Sequence, residues 1–517
     1  MKLKGPNLII VNVIATYVRM FVVMGLMLFS ERWVLNALGE VDFGLYSLTG
    51  TLIIFILFIG NVMAASMQRF YAYAIGQEDA AEIQKWFNCA FVIHFVFALF
   101  LIVGGVPLGM YLLDHVLDIP AGRLNACYWV YYLSIAGAAW TMISVPYIGM
   151  FHARQRIFEL SFWNSVQAVF IFGLAWSLFS LSGDRLKFYA AGMVGIKMVM
   201  DGIQLLRAYY LFKECRLNSR YWFNWTFYRT VLSYAGWQLW SGLGSILSNQ
   251  GLAVLINRFC GVRANAAYGI AGRVNNVVAN VGTAIYQASV AEIFRLEGAG
   301  RRDDMITLAL RTSKFIMLLA FLWMLPLYIE LDYILTLWLK VVPEHVVGFC
   351  RVILVTYAIN TLIMGYSGAV GAYGKVGSYQ SVQGTLLVLT FPLTWLAFKL
   401  GASPEHALLS LVAMAVCGDL YCVFWVKKKM NVPVSRWVKD VLLKCLIVVI
   451  PSTLVGSVVY SCLESSFWRT LLVFCLTGAS TLSVAWYLAL DHEERRFCLD
   501  KVHGIWKRLS GSKNEES

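Results

Sequence analysis

The sequence predicts an all-α, polytopic membrane protein with about fourteen transmembrane helices. Three observations support this prediction. The chain is 59% hydrophobic and only 14% charged, apolar runs of about 20 residues recur along it, and one stretch occurs twice. A soluble domain typically has about 25% charged residues, so this chain has too little polar surface to cover its apolar side chains in water. Only helices and closed barrels satisfy the backbone in lipid, and these runs are far too long for barrel strands.

Charge and cysteine content argue against several other classes. The net charge of +13 is spread over short connections between apolar runs, so we expect no nucleic-acid partner. The first apolar run is too long for the core of a signal peptide, and no small-residue cleavage site follows it, so no cleaved signal is expected. The eleven cysteines are an odd number without a CxxC pair, so we expect neither a disulfide framework nor a metal site.

Fourteen apolar segments are the candidate spans. In chain order they are residues 7–29, 43–68, 87–113, 125–150, 160–181, 187–211, 230–257, 265–291, 306–329, 346–370, 380–399, 405–426, 441–462 and 467–490. With the N-terminus inside, the inside segments contain twenty-eight Lys and Arg and the outside segments nine. Membrane proteins concentrate Lys and Arg on the cytoplasmic side, so we expect both termini to be cytoplasmic.

The second and eighth spans contain the internal repeat. A shift of 222 residues aligns residues 36–76 with residues 258–298 without a gap. The matching pairs are Gly39 with Gly261, Tyr46 with Tyr268, Gly50 with Gly272, Gly60 with Gly282, and Gly76 with Gly298. The shift corresponds to six spans, an even number, so both copies have the same orientation, as in transporters built from parallel repeats. We therefore predict two six-helix lobes related by duplication, followed by two extra helices.

The predicted lobes are residues 1–212 and 230–427, and the two extra C-terminal helices lie within residues 428–490. Between the lobes, residues 213–229 are rich in basic and aromatic side chains, which is typical of an amphipathic linker in the cytoplasmic interface. The charged tail, residues 491–517, is expected to be cytoplasmic and, after His492, disordered.

Polar side chains recur on one face of several spans. The longest stripe is on the eighth span and consists of Arg273, Asn276, Asn280, Thr283 and Gln287. Shorter stripes lie on the first, sixth and seventh spans: Asn12, Thr16 and Arg19; Lys197, Asp201 and Gln204; Gln238, Ser241, Ser245 and Ser248. Several polar faces in one bundle predict a hydrated central cavity, although serine-rich faces also occur where helices only pack closely.

Five cations remain after the inside and outside charges are counted, and one of them, Lys444, lies at the start of its span and can extend to the boundary. The other four lie deeper, where an ionisable group costs roughly 2.5–3.5 kcal/mol on insertion scales and usually faces a wet interior. We predict that Arg19, Arg273, Lys197 and Arg351 line the cavity and bind substrate. For two of them a plainer role stays open. Lys197 can be neutralised by Asp201 four residues along the helix, and Arg351 can extend to the outer boundary.

The other candidate residues are uncharged or acidic. Those predicted to line the cavity are Asn12, Thr16, Asp201, Gln238, Asn276, Asn280 and Gln287. His94 in the third span and Asp419 in the twelfth are isolated ionisable groups. Each is either a satisfied interior residue or a group that couples transport to an ion.

The predicted cavity suits an anionic ligand, because cations outnumber acids in it and arginine offers a planar fork to phosphate oxygens. The sequence contains no Walker A motif, no metal-ligand cluster and no nucleophile constellation in a loop, so we expect no enzyme activity and no cofactor. A bundle of parallel repeats around a polar cavity is the design of a secondary transporter that works by alternating access.

Both copies of the repeat resemble one known family. The segments SERWVLNALGEVDFGLYSLTG (residues 30–50) and MAASMQRFYAYAIG (residues 63–76) resemble bacterial polysaccharide flippases. SNQGLAVLINRFCGVRANAAYGIAGRVNN (residues 248–276) resembles the seventh and eighth spans of the same proteins. These are the Wzx-like transporters of O-antigen and capsule units, in the multidrug/oligosaccharidyl-lipid/polysaccharide exporter superfamily. The chain departs from many relatives at Gln287, where they have a proline.

The resemblance implies a substrate and a location. The substrate would be an oligosaccharide unit on undecaprenyl pyrophosphate, moved from the cytoplasmic to the periplasmic leaflet of the bacterial inner membrane. The family also implies a V-shaped pair of lobes around a cationic lumen, in which Arg19, Arg273, Lys197 and Arg351 would neutralise the pyrophosphate. Expected partners are this lipid-linked oligosaccharide, membrane lipids, and the polysaccharide polymerase with its chain-length machinery.

Three alternatives remain open. A multidrug or cation antiporter of the same superfamily would use acidic residues in its lumen, whereas the spans here are richer in cations. A membrane-embedded glycan polymerase or ligase would have a long periplasmic loop, but the longest outside connection, near residues 330–345, is short. Export of a peptidoglycan precursor would differ only in the headgroup carried.

Overall fold

The computed structural model describes residues 6–115, 119–496 and 499, and within these ranges the fold is all-α, as predicted. The described α-helices are α1 (Pro6–Gly76), α2 (Ala80–His115), α3 (Leu124–Ala153), α4 (Ile157–Ser177), α5 (Arg185–Leu211), α6 (Trp225–Gly298), α7 (Arg302–Ile329), α8 (Leu331–Leu339), α9 (Val346–Leu362), α10 (Met364–Tyr373), α11 (Gly377–Lys399), α12 (Pro404–Ala407), α13 (Leu409–Met430), α14 (Val434–Trp437), α15 (Leu443–Cys462) and α16 (Phe467–Val484). The structure differs from the predicted disorder at residues 493–496, which are helical because the buried Glu494 pairs with Lys314. Residues 497, 498 and 500–517 of the predicted disordered tail lie outside the described residues.

Each copy of the repeat lies in one long helix with a break at a glycine. α1 has 71 residues and α6 has 74, and the breaks are at Gly39 (φ 78°, ψ 169°) and Gly261 (φ 85°, ψ 176°). Positive φ is open to glycine and strained for other residues. The two glycines are separated by the 222 residues of the sequence repeat, so the duplication is visible in the backbone. The connections predicted around these glycines are therefore helical up to the break rather than open loops.

The number of spans can be compared with the helices directly. Ten of the described helices are long and apolar enough to cross a membrane, and an eleventh span arises if α9 and α10, which are bent by 45°, count as one. That count does not include α5 or the half of α1 after Gly39, and it takes the two halves of α6 as one. The chain is thus a multi-pass membrane protein, and its helices are compatible with the fourteen predicted spans.

The chain packs as two compact units. Unit 1 consists of Met1–Gly244, Ala284–Leu308 and Gly368–Thr385, and unit 2 of Ser245–Thr283, Ala309–Ser367 and Leu386–Ser517. The unit boundaries pass through α6, α7, α10 and α11, whereas the predicted lobe boundaries fall between helices. The division into two lobes joined by residues 213–229 therefore stays a prediction.

In unit 1, α1 packs against α2, α3 and α4. Its core includes the fully buried aromatic side chains of Tyr71, Phe87 and Phe151, one from each of the first three helices. The rings of Tyr71 and Phe87 lie 6.4 Å apart. Because lipid tails are as apolar as these rings, close packing rather than removal from water holds such helices together.

In unit 2, two buried ion pairs link α7 and the residue after it to the C-terminal part of the chain. Arg469 of α16 donates from Nε and Nη2 to the two carboxylate oxygens of Glu330, which directly follows α7, at 2.8 and 2.9 Å. In the middle of α7, Lys314 Nζ lies 2.6 Å from Oε2 of Glu494, which follows α16. None of these four side chains is more than 8% exposed. The start of α16 and the segment after it are therefore each held to the rest of unit 2 by a buried ion pair.

These pairs correct the sequence assignment of two cations. By sequence, Lys314 is counted with the inside charges and Arg469 with the outside charges, although both fall within the predicted spans 306–329 and 467–490, and in the structure both are buried. Their acidic partners lie 180 and 139 residues away in the chain. A pairing over such a distance has no local sequence signal.

Candidate functional site

Lys197 is paired with an acid on its own helix. Its Nζ lies 2.9 and 2.8 Å from the two carboxylate oxygens of Asp201, one turn along α5. Asp201 is 2% exposed and also accepts a hydrogen bond from Thr141 Oγ1 at 3.2 Å. The structure thus shows the neutralised arrangement that the spacing allows. Contact of Lys197 with a substrate stays a prediction.

Two of the three polar residues in the stripe on the first half of α1 make hydrogen bonds within the protein. Asn12 is fully buried, its Nδ2 donates to the carbonyl of Gln155 at 2.7 Å, and its Oδ1 accepts from the amide of Phe158 at 3.0 Å. Thr16 Oγ1 donates to the carbonyl of Asn12 at 2.7 Å. Arg19 is half-buried and makes no ion pair with any residue that the structure describes. Of this stripe, Arg19 is the side chain with charge to offer a ligand.

The stripe on the second half of α6 is accessible. Arg273, Asn276 and Asn280 are exposed and Gln287 is half-buried. Among the described residues, none of the four has a side-chain hydrogen bond or an ion pair. Their spacing places them on one face of the helix. This face offers one cation and three amides, and its assignment to a substrate cavity stays a prediction.

Gln238 and Arg351, two further predicted residues, each have partners. Gln238 accepts a hydrogen bond from Gln380 Nε2 at 2.9 Å and donates to the hydroxyl of Tyr234 at 3.4 Å. Arg351 Nη2 lies 2.9 Å from Asp332 Oδ2, in an ion pair whose two side chains are 42% and 53% exposed. Its Nε is buried and has no hydrogen-bond partner in the described part of the chain. The guanidinium of Arg351 is thus paired through Nη2, while its Nε has no described partner.

His94 and Asp419 are buried interior groups. His94 is fully buried and its Nδ1 lies 2.7 Å from the carbonyl of Ala90, while its Nε2 has no described partner. Asp419 is 5% exposed, and neither carboxylate oxygen has a hydrogen-bond partner among the described residues. The contact with Ala90 therefore explains in part why His94 is buried, whereas no described contact explains the burial of Asp419.

The four predicted cations divide between the units. Arg19 and Lys197 belong to unit 1, and Arg273 and Arg351 belong to unit 2. Within the described spans, Arg19 and Arg273 are the two of the four without an acidic partner, and Lys197 and Arg351 have one each. That all four line a single lumen stays a prediction.

Sequence reasoning missed a close helix crossing inside unit 1. The C-terminal ends of α1 and α6 meet so closely that a Cβ atom on Gly76 would overlap the carbonyl oxygen of Arg295, and one on Gly298 would overlap that of Tyr73. Gly76 and Gly298 are one repeat apart, and so are Tyr73 and Arg295. The crossing is thus a symmetric contact between the two copies, and the repeat itself is the signal that points to it.

A chain of hydrogen bonds leads from the first stripe to this crossing. Gln155, whose carbonyl accepts from Asn12, donates from Nε2 to Glu292 Oε2 at 2.5 Å. Glu292 in turn accepts from Arg295 Nε at 2.8 Å. Glu292 and Arg295 have the i, i+3 spacing of a helical ion pair, which the sequence shows. The contact with Gln155, 137 residues away, has no such signal.

Comparison with known proteins identifies the fold. No protein-family model and no curated protein matches the sequence. A mutant MATE transporter of known structure matches with a TM-score of 0.70 and 13% identity, covering 84% of this chain and 97% of its own. An outward-facing multidrug resistance MATE transporter of the MOP superfamily matches with a TM-score of 0.70 and 13% identity, covering 82% of this chain and 96% of its own.

A third structure widens the comparison. A MOP superfamily transporter from Pyrococcus furiosus, for which a reversed polarity of the binding pocket is said to suggest a different function, matches with a TM-score of 0.66 and 12% identity. The match covers 84% of this chain and 99% of that one. At such identities the likeness concerns the fold, and this chain has the fold of MOP superfamily transporters. The three structures are covered almost completely, while about one-sixth of this chain has no counterpart in them.

Proposed function

We propose that this chain is a secondary transporter that moves an oligosaccharide linked to undecaprenyl pyrophosphate from the cytoplasmic to the periplasmic leaflet of a bacterial inner membrane. The fold supports a transporter, and the resemblance of residues 30–76 and 248–276 to polysaccharide flippases supports this substrate. The observation that carries the proposal is the accessible stripe on α6 with its unpaired arginine.

This stripe is poorly suited to a lipid environment. Arg273, Asn276 and Asn280 are exposed on a helix that is long enough to cross the membrane. A charged side chain at mid-membrane costs roughly 2.5–3.5 kcal/mol on insertion scales and usually faces a wet interior. No described acid pairs with Arg273, so a hydrated cavity that admits an anion is the arrangement that stabilises it. Arg19, which is also unpaired, would add a second positive charge.

Two acids near the predicted cations are paired with Lys197 and Arg351 and do not offset the charges of Arg19 and Arg273. Asp201 is paired with Lys197 at 2.8 Å, and Asp332 is paired with Arg351 at 2.9 Å. A pocket for a cationic drug would instead need accessible acids without partners. The reversed pocket polarity described for the Pyrococcus furiosus transporter supports the idea that this fold accommodates pockets of more than one charge.

The membrane potential favours the proposed direction. A pyrophosphate that crosses outward without full compensation moves negative charge away from the negative interior. Each elementary charge then gains roughly 2.3 kcal/mol per 100 mV. The cations of the stripe would lower the cost of the charge inside the protein, and the potential would favour its release outside.

Replacing Arg19 and Arg273 together tests the cationic stripe. We expect Arg19→Ala with Arg273→Ala to reduce glycan export at least about tenfold, because a hydrogen bond to a charged group contributes roughly 1.5–3 kcal/mol. Export is measured as surface glycan in a deletion strain that expresses each variant, with membrane protein levels determined by immunoblot. Arg263→Ala is the matched control, because Arg263 is exposed on the same helix near its break.

Lysine at either position separates charge from geometry. If the Arg273→Lys variant exports glycan normally, positive charge at this position is sufficient. If its export is reduced, the planar fork of arginine is needed. Normal export by the double alanine variant at normal protein level would contradict the role of the stripe.

A cation-coupled multidrug antiporter of the same superfamily is the second candidate, and Asp419 is the observation that favours it. A buried carboxylate without a partner is costly, so such a group tends to take up a proton or a cation. If the chain is an antiporter, Asp419→Asn should abolish drug resistance and leave glycan export unchanged. If it is a flippase driven by an ion gradient, the same substitution should lower glycan export and leave drug resistance unchanged.

A further inference from the structure

A cleft of about 340 Å³ in unit 1 has the composition of an anion site. Its walls are the end of α1, the beginning of α6, and the connection between α10 and α11. Three cations line it, namely Arg69, Arg229 and Lys375. By sequence they belong to three separate segments on the predicted cytoplasmic side, and the fold brings them to one place. None of the residues predicted to line the transport cavity lines this cleft.

Two of the three cations have no acidic partner. Arg229 and Lys375 are exposed, and neither forms an ion pair with any residue that the structure describes. The described residues that line the cleft include no carboxylate. Glu297 acts electrostatically on Arg69, but it does not line the cleft, and it accepts a hydrogen bond from Arg302 Nε at 3.1 Å. Among the described residues, the charges of Arg229 and Lys375 are thus left without an acidic partner, and Arg69 has only the more distant Glu297.

Arg69 forms the rigid part of the site. It is 9% exposed, and it donates from Nε to the carbonyl of Gly371 at 3.2 Å and from Nη2 to the carbonyl of Ala372 at 3.1 Å. Its guanidinium lies 5.3 Å from the ring centroid of Tyr234. The guanidinium packs directly on Gly374, where a Cβ atom would overlap Nη2. The arginine is therefore held in place before any ligand arrives.

Neutral donors complete the lining. Ser233 and Trp237 lie on the same side of α6 as Arg229, and neither the hydroxyl of Ser233 nor the indole Nε1 of Trp237 has a described hydrogen-bond partner. Thr230 also lines the cleft, but its hydroxyl donates to the carbonyl of Thr226 at 2.8 Å. Gly377, the first residue of α11, also lines the cleft. The start of a helix carries a partial positive charge and free N–H groups. Hydroxyl, indole and backbone donors beside three cations match the several oxygens of a phosphate.

We propose that this cleft binds a phosphate-bearing group at the predicted cytoplasmic surface. Arginine recognises phosphate with paired N–H donors and lysine as a point charge. The group can belong to an anionic lipid headgroup of the adjacent leaflet or to a soluble phosphate compound, and the chemistry of recognition is the same. The inference does not depend on the proposed transport function, because the cleft and the predicted transport cavity share no residue.

Direct binding to the full chain tests the proposal. The protein is purified into nanodiscs of neutral phosphatidylcholine, and inorganic pyrophosphate is titrated by calorimetry. In parallel, the protein is transferred out of nanodiscs that contain both phosphatidylcholine and phosphatidylglycerol. Native mass spectrometry then measures how much phosphatidylglycerol the protein retains. The cleft variant is Arg229→Gln with Lys375→Gln, both at exposed side chains. The control is Arg216→Gln with Arg220→Gln, which removes the same charge from exposed positions of the neighbouring linker, outside the cleft.

We expect the cleft variant to lose at least about tenfold in affinity for one of the two probes, because each lost charged hydrogen bond contributes roughly 1.5–3 kcal/mol. The control pair should bind normally. Ser233→Phe, which fills the cleft without changing its charge, should weaken the same probe. Loss of pyrophosphate binding alone indicates a soluble ligand, and loss of phosphatidylglycerol retention indicates a lipid headgroup. Absence of both interactions in the unchanged protein, or equal losses in the cleft and control pairs, would contradict the proposal.

Discussion

Arg469 and Arg273 have the same side chain in opposite surroundings. Arg469 is 7% exposed and makes two hydrogen bonds to Glu330, whereas Arg273 is exposed and has no acidic partner in the described chain. The charge of Arg469 is satisfied by the fold, so its role is structural. The charge of Arg273 has to be satisfied by water or by a ligand, which is why the stripe on α6 rather than the buried pair indicates function.

Removing Arg469 should strongly destabilise unit 2. Breaking a buried ion pair from one side leaves an uncompensated charge and costs about 3–5 kcal/mol. We therefore expect Arg469→Gln to lower the melting temperature of the purified protein by several degrees. Arg301→Gln is the control, because Arg301 and Asp304 form a pair whose side chains are 61% and 55% exposed. Exposed pairs contribute about 0–1 kcal/mol, so equal shifts in both variants would contradict a structural role for the buried pair.

At the scale of single residues, the sequence predicts which polar side chains share a helix face but not which side chains form ion pairs between distant segments. Periodicity placed Arg273, Asn276 and Asn280 on one helix face, and the i, i+4 spacing suggested the pair of Lys197 and Asp201. The partner of Arg469 lies 139 residues away. Nothing in a single sequence connects two such positions.

Two pairs of repeat-related glycines have different structural roles in α1 and α6. Gly39 and Gly261 break α1 and α6 with positive φ, while Gly76 and Gly298 let the same two helices cross backbone to backbone. The sequence shows the matching glycines, but it does not show which pair bends a helix and which pair permits a close contact. Both functions depend on where the chain goes next, which a local pattern does not contain.

A methyl group at the crossing should disturb it. Gly76→Ala would place a Cβ atom on the carbonyl oxygen of Arg295, and because the obstacle is backbone, we expect a loss of about 1–3 kcal/mol. Gly298→Ala should have a similar effect, and the double variant should lose less than the sum, because both changes act on one contact. Gly44→Ala, at a helical position with open space around it, is the control. Thermal unfolding of the purified variants measures all four effects, and a neutral Gly76→Ala would contradict the crossing.

For the whole molecule, composition and the repeat were sufficient to predict an all-α membrane protein with a duplicated plan. They were not sufficient to predict how the chain packs. The two units each combine three stretches of sequence, and Arg69 is anchored to Gly371 across 302 residues. Such contacts join helices that the sequence presents as unrelated, so the cleft around Arg69 appears only in the structure.

The transport proposal concerns the whole molecule, and the side of the membrane that displays the lipid-linked glycan tests it most directly. Spheroplasts are prepared from cells with the protein and from cells depleted of it, and a membrane-impermeant glycosidase is applied from outside. We expect the glycan to be cleaved when the protein is present, and after depletion to accumulate in a form that is protected until the membrane is opened. Equal cleavage in both preparations would contradict the proposal that this chain moves the glycan across the bilayer.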